Sequence, residues 1–212
     1  MNTVDATVFV VDDDTAFLTA LTRLLRSAGF AVRSFSSSRA FLDQHDPETP
    51  GCIVLDVAMP DLNGLELQAA LAAAGCERSV VFITGHGDIP TSVQAMRAGA
   101  VHFLTKPFGD EELIAAIREA VEKDRLTRLV RMKRADIERR LATLTPREHE
   151  VFLYVVAGFL NKQIASELGT VEGTIKVHRA RIMTKMGAMS LADLVRMAEQ
   201  GQIVTSQARP QP

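Results

Sequence analysis

At 212 residues the chain has room for one or two domains. No apolar run is long enough to span a bilayer, the N-terminus lacks a basic-then-apolar leader, and Cys52 and Cys76 form neither a CxxC nor a disulfide framework, so a protein of the reduced cytoplasm is expected. The net charge of −2 conceals a division: residues 1–122 hold 8 Lys+Arg against 17 Asp+Glu, and residues 123–212 hold 16 against 9, which suits an acidic, metal-binding first part and a polyanionic partner for the second.

The first apolar run, Val8-Phe9-Val10-Val11, is short, rich in β-branched residues and closed by Asp12, Asp13 and Asp14, as a buried parallel strand would be. A helix follows, with Phe17, Leu18, Leu21, Leu24, Leu25 and Ala28 on one stripe and Gly29 as its stop; Asp14 suits its N-cap. A second strand ends near residue 35. The third run, Cys52-Ile53-Val54-Leu55, ends in Asp56, the fourth, Val80 to Ile83, in Thr84, and the fifth, Val101 to Leu104, in Thr105, Lys106 and Pro107. Strand ends every 20 to 28 residues leave space for a crossover helix each time, which implies a parallel five-stranded sheet with helices on both faces.

Ligands of such sheets lie beyond the carboxyl ends of the strands, so these residues are expected to meet in one crevice. Clustered carboxylates repel and require a cation, pointing to Mg²⁺, with one carboxylate left to act as nucleophile. A hydroxyl from Thr84 and an ammonium from Lys106 complete a holder for a phosphoryl group, whose transfer is catalysed mainly by positioning and charge neutralisation.

After Pro107 a helix is expected from Asp110, carrying a looser apolar stripe among many arginines to about residue 140. Thr145-Pro146-Arg147-Glu148 is a capping box with proline in the first helical position. A short helix over Asn161–Leu168, a Gly169-Thr170 turn, a longer helix from about Val171 to Met186 and a last one over Leu191–Glu199 have the spacing of a helix-turn-helix domain. On the longer helix Ile175, Ile182 and Met186 face inward, and Lys176, Val177, Ala180 and Arg181 turn outward. The five histidines show no metal-ligand spacing.

Asp12, Asp13, Asp56, Thr84, Phe103 and Lys106 together resemble the receiver domain of two-component response regulators. Leu144-Thr145-Pro146-Arg147-Glu148, Asn161-Lys162-Gln163-Ile164-Ala165 and Thr174-Ile175-Lys176-Val177-His178 resemble the LuxR-type output domain of the NarL/FixJ family. The loop Thr84-Gly85-His86-Gly87-Asp88 and the segment Ala95–Ala100 look like its FixJ branch. The resemblance implies a flavodoxin-like receiver (order 2-1-3-4-5) over residues 1–122, a helical linker over 123–143, an all-α four-helix helix-turn-helix domain over 144–200 and a frayed tail over 201–212.

It also implies roles. Asp56 becomes the phospho-acceptor for a sensor histidine kinase, Asp12, Asp13, Asp56 and the Ala58 carbonyl the Mg²⁺ ligands, Thr84 and Phe103 the switch pair, and Lys106 the phosphate-binding lysine. Val93 and Arg97 fall on the face that dimerises on phosphorylation. Lys176 and Val177 would read bases of double-stranded DNA, and Asn161, Lys162, Arg179 and Arg181 would reach phosphates. RNA polymerase is an expected partner, and a non-enzymatic transcription factor the expected function. The chain departs from the family pattern at Ala180 and at Thr170-Val171, where the usual apolar-then-cap order is reversed, and Gly173 should weaken the first turn of that helix. A rival reading takes Asp12 and Asp14 as the nucleophile and acid/base of a haloacid-dehalogenase-like phosphatase, but leaves Asp56 and the basic domain without a use.

Overall fold

Each of the five expected strands forms in the computed structural model, which describes residues 6–85 and 88–203. The strands are β1 (Thr7–Val11), β2 (Ala31–Phe35), β3 (Gly51–Asp56), β4 (Ser79–Thr84) and β5 (His102–Thr105), all paired in parallel in the order β2-β1-β3-β4-β5. Helices α1 (Thr15–Ser27), α2 (Ser38–Gln44), α3 (Gly64–Ala73), α4 (Ile89–Arg97) and α5 (Asp110–Leu141) alternate with them. His86, Gly87 and the tail from residue 204 lie outside the described residues.

Covering the sheet on both faces explains the unbroken hydrophobicity of the inner strands, since neither side meets water. Val8 and Val10 pack with Leu18, Leu21 and Leu25 of α1 and Leu113 and Ile117 of α5. Phe9 and Val11, pointing the other way, join Phe41 of α2, Leu67 of α3 and Ala95 of α4. Asp14 caps α1, accepting from the N–H groups of Ala16 (2.9 Å) and Phe17 (3.0 Å). Gly51 opens β3 at φ +140°, where a Cβ would run into the carbonyl of Thr7.

Helix α5 runs unbroken for 32 residues, with Asp110, Glu111 and Glu112 in its first turn and Arg139 and Arg140 in its last, both matched to the helix dipole. It crosses between two compact units, residues 1–128 and 129–212. The first unit holds this helix well beyond residue 122. Buried Asp124 accepts from Gly51 N–H (3.0 Å) and from Arg128 Nε (2.8 Å), and Arg128 donates onward to the carbonyls of Pro47 (2.8 Å), Glu48 (3.0 Å) and Thr49 (3.0 Å). Buried Arg78 donates to the carbonyls of Asp46 and Thr49, each at 2.7 Å.

The second unit contains α6 (Pro146–Val156), α7 (Asn161–Glu167), α8 (Glu172–Met186) and α9 (Leu191–Gln200). Its core joins Ile137 of α5 to Val151, Phe152, Ile164, Ile175, Ile182, Met186 and Leu194. The capping box forms as expected, Thr145 and Glu148 each accepting from the other's N–H. Glu148 is buried and also accepts from Lys185 Nζ at 2.6 Å; that ammonium, followed by the Thr145 N–H, pulls its carboxyl down to about 2. The same lysine donates to the Thr143 carbonyl at 2.9 Å, so the start of α6 is fastened to the end of α8. Gly187 closes α8 in the left-handed region at φ +64°.

The start of α8 is less well closed. Val171 occupies the N-cap at φ −100°, ψ 150° with no side-chain cap, so the helix begins at Glu172, one residue later than the sequence pattern suggests. Its backbone already has N-cap geometry, and Val171→Ser is expected to stabilise the output domain by about 1 kcal/mol. Tyr154 is the sole tyrosine in a chain without tryptophan, so its fluorescence during urea unfolding reads this domain alone. An unchanged midpoint would show that the open cap costs nothing.

Candidate functional site

Parallel pairing puts the residues that end β1, β3, β4 and β5 on one rim. Val11 is in register with Leu55, Asp56 with Ile83, and Thr84 with Thr105, so each polar residue emerges beside the next. Lys106 then turns back, its N–H donating to the Thr84 carbonyl at 2.7 Å. Asp12 is 1% exposed, Asp56 5% and Thr84 1%, unusual burial for polar side chains and, for carboxylates, costly unless they are paired.

The pairing comes from one ammonium. Lys106 Nζ lies 2.8 Å from Asp12 Oδ2 and 3.1 Å from Asp56 Oδ1. The remaining oxygens take backbone donors, Asp14 N–H on Asp12 Oδ1 (2.9 Å) and Ala58 N–H on Asp56 Oδ2 (2.7 Å). Below the ammonium sits the ring of Phe17, 3.9 Å from Nζ to centroid, a cation–π contact. Gly64 begins α3 directly against the Asp56 carbonyl, where a Cβ would clash, and this close approach holds the acceptor strand against the next helix.

Burial raises the Asp56 carboxyl above its ordinary value, and although Lys106 opposes the rise, the neighbouring Asp12 adds to it. Burial by itself would lower the Lys106 ammonium, but hydrogen bonds to Asp12 and Asp56 more than offset it and hold it above the usual lysine value. Two buried carboxylates against one ammonium leave an excess negative charge. Hard oxygen donors with uncompensated charge are what a hard divalent cation takes, so the donor chemistry fits Mg²⁺. The expected ligands are nevertheless not gathered as a set. Asp13 is exposed, Ala58 meets Asp56 through its N–H, and among the described residues no three acids, imidazoles or thiols converge to hold a metal; Lys106 occupies the place between Asp12 and Asp56.

Phe103 is half-buried on β5, its ring 6.2 Å from that of Phe82. Val93 and Arg97 are both exposed on α4, beside Ile89 and Met96, which are exposed as well. Of the two acids the phosphatase reading needs, Asp14 caps α1 and Asp12 accepts from Lys106. Phe17 was legible only as a core residue; its contact with Lys106 needed the sheet to be assembled.

On the output domain Lys176, Val177 and Arg181 are exposed on α8 and Lys162 on α7. Lys176 makes an exposed ion pair with Glu172 (3.1 Å), of a kind worth little in water. Arg179 is half-buried and donates to Asn161 Oδ1 at 3.1 Å, so these two side chains join α8 to α7 instead of both standing free.

A doubly wound α/β domain with an acid–lysine cluster at its switch edge, followed by a helix-turn-helix bundle, defines a receiver joined to a DNA-binding output domain. The chain matches the response regulator receiver domain over residues 8–118 and the luxR family of bacterial regulatory proteins over residues 142–198. It belongs to the NarL/FixJ family of response regulators. It is 47% identical to nodulation protein W of Bradyrhizobium diazoefficiens, over 92% of this chain and 86% of that one. It is 46% identical to the transcriptional regulatory protein FixJ of Azorhizobium caulinodans, over 90% of each chain. Among solved structures it is similar to the response regulator StyR, with a TM-score of 0.83 at 46% identity over 92% of this chain and 99% of that one. Full-length FixJ from B. japonicum superimposes with a TM-score of 0.58 at 42% identity, over 95% of this chain and 99% of that one.

The raised carboxyl has a consequence for stability. A group held above its unfolded value stabilises the fold at low pH, and that contribution is lost as the pH rises through the folded value. At pH 7 ionised Asp56 is therefore a net cost, and Asp56→Asn is expected to raise the receiver's thermal midpoint. The difference from the unsubstituted protein should shrink as the pH is lowered. Calorimetry at pH 7 and pH 5 checks the sign, and a lower midpoint for the variant at pH 7 would overturn the assignment.

Proposed function

We propose that this response regulator is a cytoplasmic transcription factor switched by phosphorylation of Asp56. The observation that carries the reading is the joint placement of Asp56, Asp12 and Lys106 at one rim, with buried Thr84 on the adjoining strand. The donor would be the phosphohistidine of a sensor kinase. An oxygen of Asp56 attacks phosphorus, the P–N bond breaks, its electron pair returns to the imidazole nitrogen, which then takes a proton, and an acyl phosphate remains. Lys106 pairs with the oxygens of the transferred group, and the bonds from Ala58 and Lys106 orient the carboxylate beforehand. Asp12, Asp13, Asp56 and the Ala58 carbonyl would hold Mg²⁺, which when bound neutralises charge on the phosphoryl oxygens.

The phosphoryl group gives Thr84 a charged acceptor, and as its hydroxyl moves in, half-buried Phe103 follows towards the core. The α4 face that carries Val93 and Arg97 changes with them and pairs two copies. Two output domains then hold a two-fold-related site on double-stranded DNA and engage RNA polymerase. No helix among the described residues is long and apolar enough to cross a membrane, which agrees with this location.

Acetyl phosphate or kinase treatment should label the protein on Asp56, and both Asp56→Asn and excess EDTA should abolish the label. Labelling that persists on Asp12, or that proceeds undiminished in EDTA, would sink the assignment. DNA reading has its own test. A lysine donating to guanine is worth about 1–3 kcal/mol of discrimination, whereas a phosphate contact strengthens all sequences alike and steepens the salt dependence. Lys176→Ala should narrow the preference for operator over random DNA, and Arg181→Ala should weaken both equally. Competition binding at two salt concentrations distinguishes them, and an unchanged ratio for Lys176→Ala removes that residue from base reading.

A further inference from the structure

Helix α1 carries a second face that the Asp12–Asp56–Lys106 site does not use. Thr15, Thr19, Thr22 and Arg26 are spaced i, i+4, i+7 and i+11, a single helical stripe. The stripe facing Lys106 is a different one, made by Phe17, Ala20 and Leu24. Opposite the hydroxyl stripe stands β2, the edge strand of the sheet. Val32 of that strand packs against the α1 core, and Ser34, two residues on, falls on the same side. Thr15, Thr19, Thr22, Arg23, Arg26 and Ser34 wall an open groove of about 550 Å³, floored by Leu18. That volume lies within the range of small-molecule sites.

Two observations separate this groove from an ordinary solvated face. Thr19 satisfies its hydroxyl on the Thr15 carbonyl at 2.8 Å, the usual solution for a threonine in a helix. Thr22 does not: its Oγ1 is buried and has no hydrogen-bond partner. Leaving such a group unpaired is costly, and a ligand oxygen would recover the loss. The second observation is charge. Arg23 and Arg26 are exposed within a region of 17 acids and 8 bases, yet among the described residues neither has a carboxylate partner. Residues three apart on a helix are neighbours, with Cβ atoms about 5–6 Å apart, a separation suited to two adjacent phosphoryl groups. Guanidinium groups bind phosphate through parallel N–H bonds.

We propose that the α1–β2 groove binds a diphosphate-bearing ligand of nucleoside diphosphate size, with Arg23 and Arg26 on the phosphates and the hydroxyls of Thr22 and Ser34 on neighbouring ligand oxygens. The site lies on the opposite flank of α1 from Lys106 and needs neither Asp56 nor a metal.

Calorimetric titration of the full chain with ADP, GDP and inorganic pyrophosphate tests this, in EDTA so that no metal bridges phosphate to the carboxylates. Saturable binding of at least one probe is expected, weakened about tenfold or more by Arg23→Ala with Arg26→Ala, and unchanged by Asp56→Asn. Thr22→Val should weaken it several-fold, and Thr22→Ser, which restores the hydroxyl, should recover it. Equal affinity for pyrophosphate and ADP would identify the diphosphate itself as the recognised group and sustain the proposal. Thermal unfolding of each variant verifies that it is folded. No saturation by any probe at about 5 mM, or affinity that survives loss of both arginines, overturns it.

Discussion

One ammonium between two buried carboxylates is the contact on which the receiver's rim depends. Removing an ion from water costs several kcal/mol even after relaxation, and β1 and β3 each deliver one carboxylate into a desolvated edge. Lys106 answers both, which is why β5 must end beside β4 and why the chain turns back there to donate to the Thr84 carbonyl. Asp14, Ala58 and Phe17 then fill the remaining valences of the three charged groups. The arrangement remains short of one positive charge. A site so built is held together and still negatively unbalanced, which favours a cation.

The output domain resolves a similar conflict in the opposite sense. Glu148 is buried like Asp56, but Lys185 pairs with it without a second carboxylate on the same ammonium among the described residues, and its carboxyl is drawn down to about 2, whereas that of Asp56 is lifted. The first pair fastens α6 to α8 and contributes to the fold; the second holds an acid at a cost. At Asp56 desolvation outweighs the donors and Asp12 adds to the rise, whereas at Glu148 the donors outweigh desolvation.

Much of this was legible from hydrophobic patterning. Four apolar runs, the spacing of the strand ends and their terminal residues identified the sheet, and with it the meeting of Asp12, Asp56 and Lys106 beside Thr84, because a parallel sheet leaves few other places for strand ends. The capping box at Thr145 and the cap at Asp14 are local devices and could be read directly. What escaped depends on residues far apart in sequence. The pattern did not show that Asp13 stays in solvent while Asp12 turns in, that Phe17 lies under Lys106, or that Arg179 holds Asn161. The first turn of α8 was off by one residue because valine stands where a capping side chain is usual.

The grip of α5 on the lower edge of the sheet bears on where the receiver ends. The family match stops at residue 118, but Asp124 holds the first residue of β3 and Arg128 holds three carbonyls of the loop before it. A chain severed at 122 would keep Asp12, Asp56, Thr84 and Lys106 and still take from the N–H of Gly51 its Asp124 partner and from the Glu48 carbonyl its Arg128 donor, leaving Arg78 alone on Pro47 and Thr49. Buried Arg78, which precedes β4 and donates to that loop, would lose the negative charge of Asp124. Polar contacts of Asp124 and Arg128 thus continue the first compact unit past the last apolar residues of its core, to Arg128.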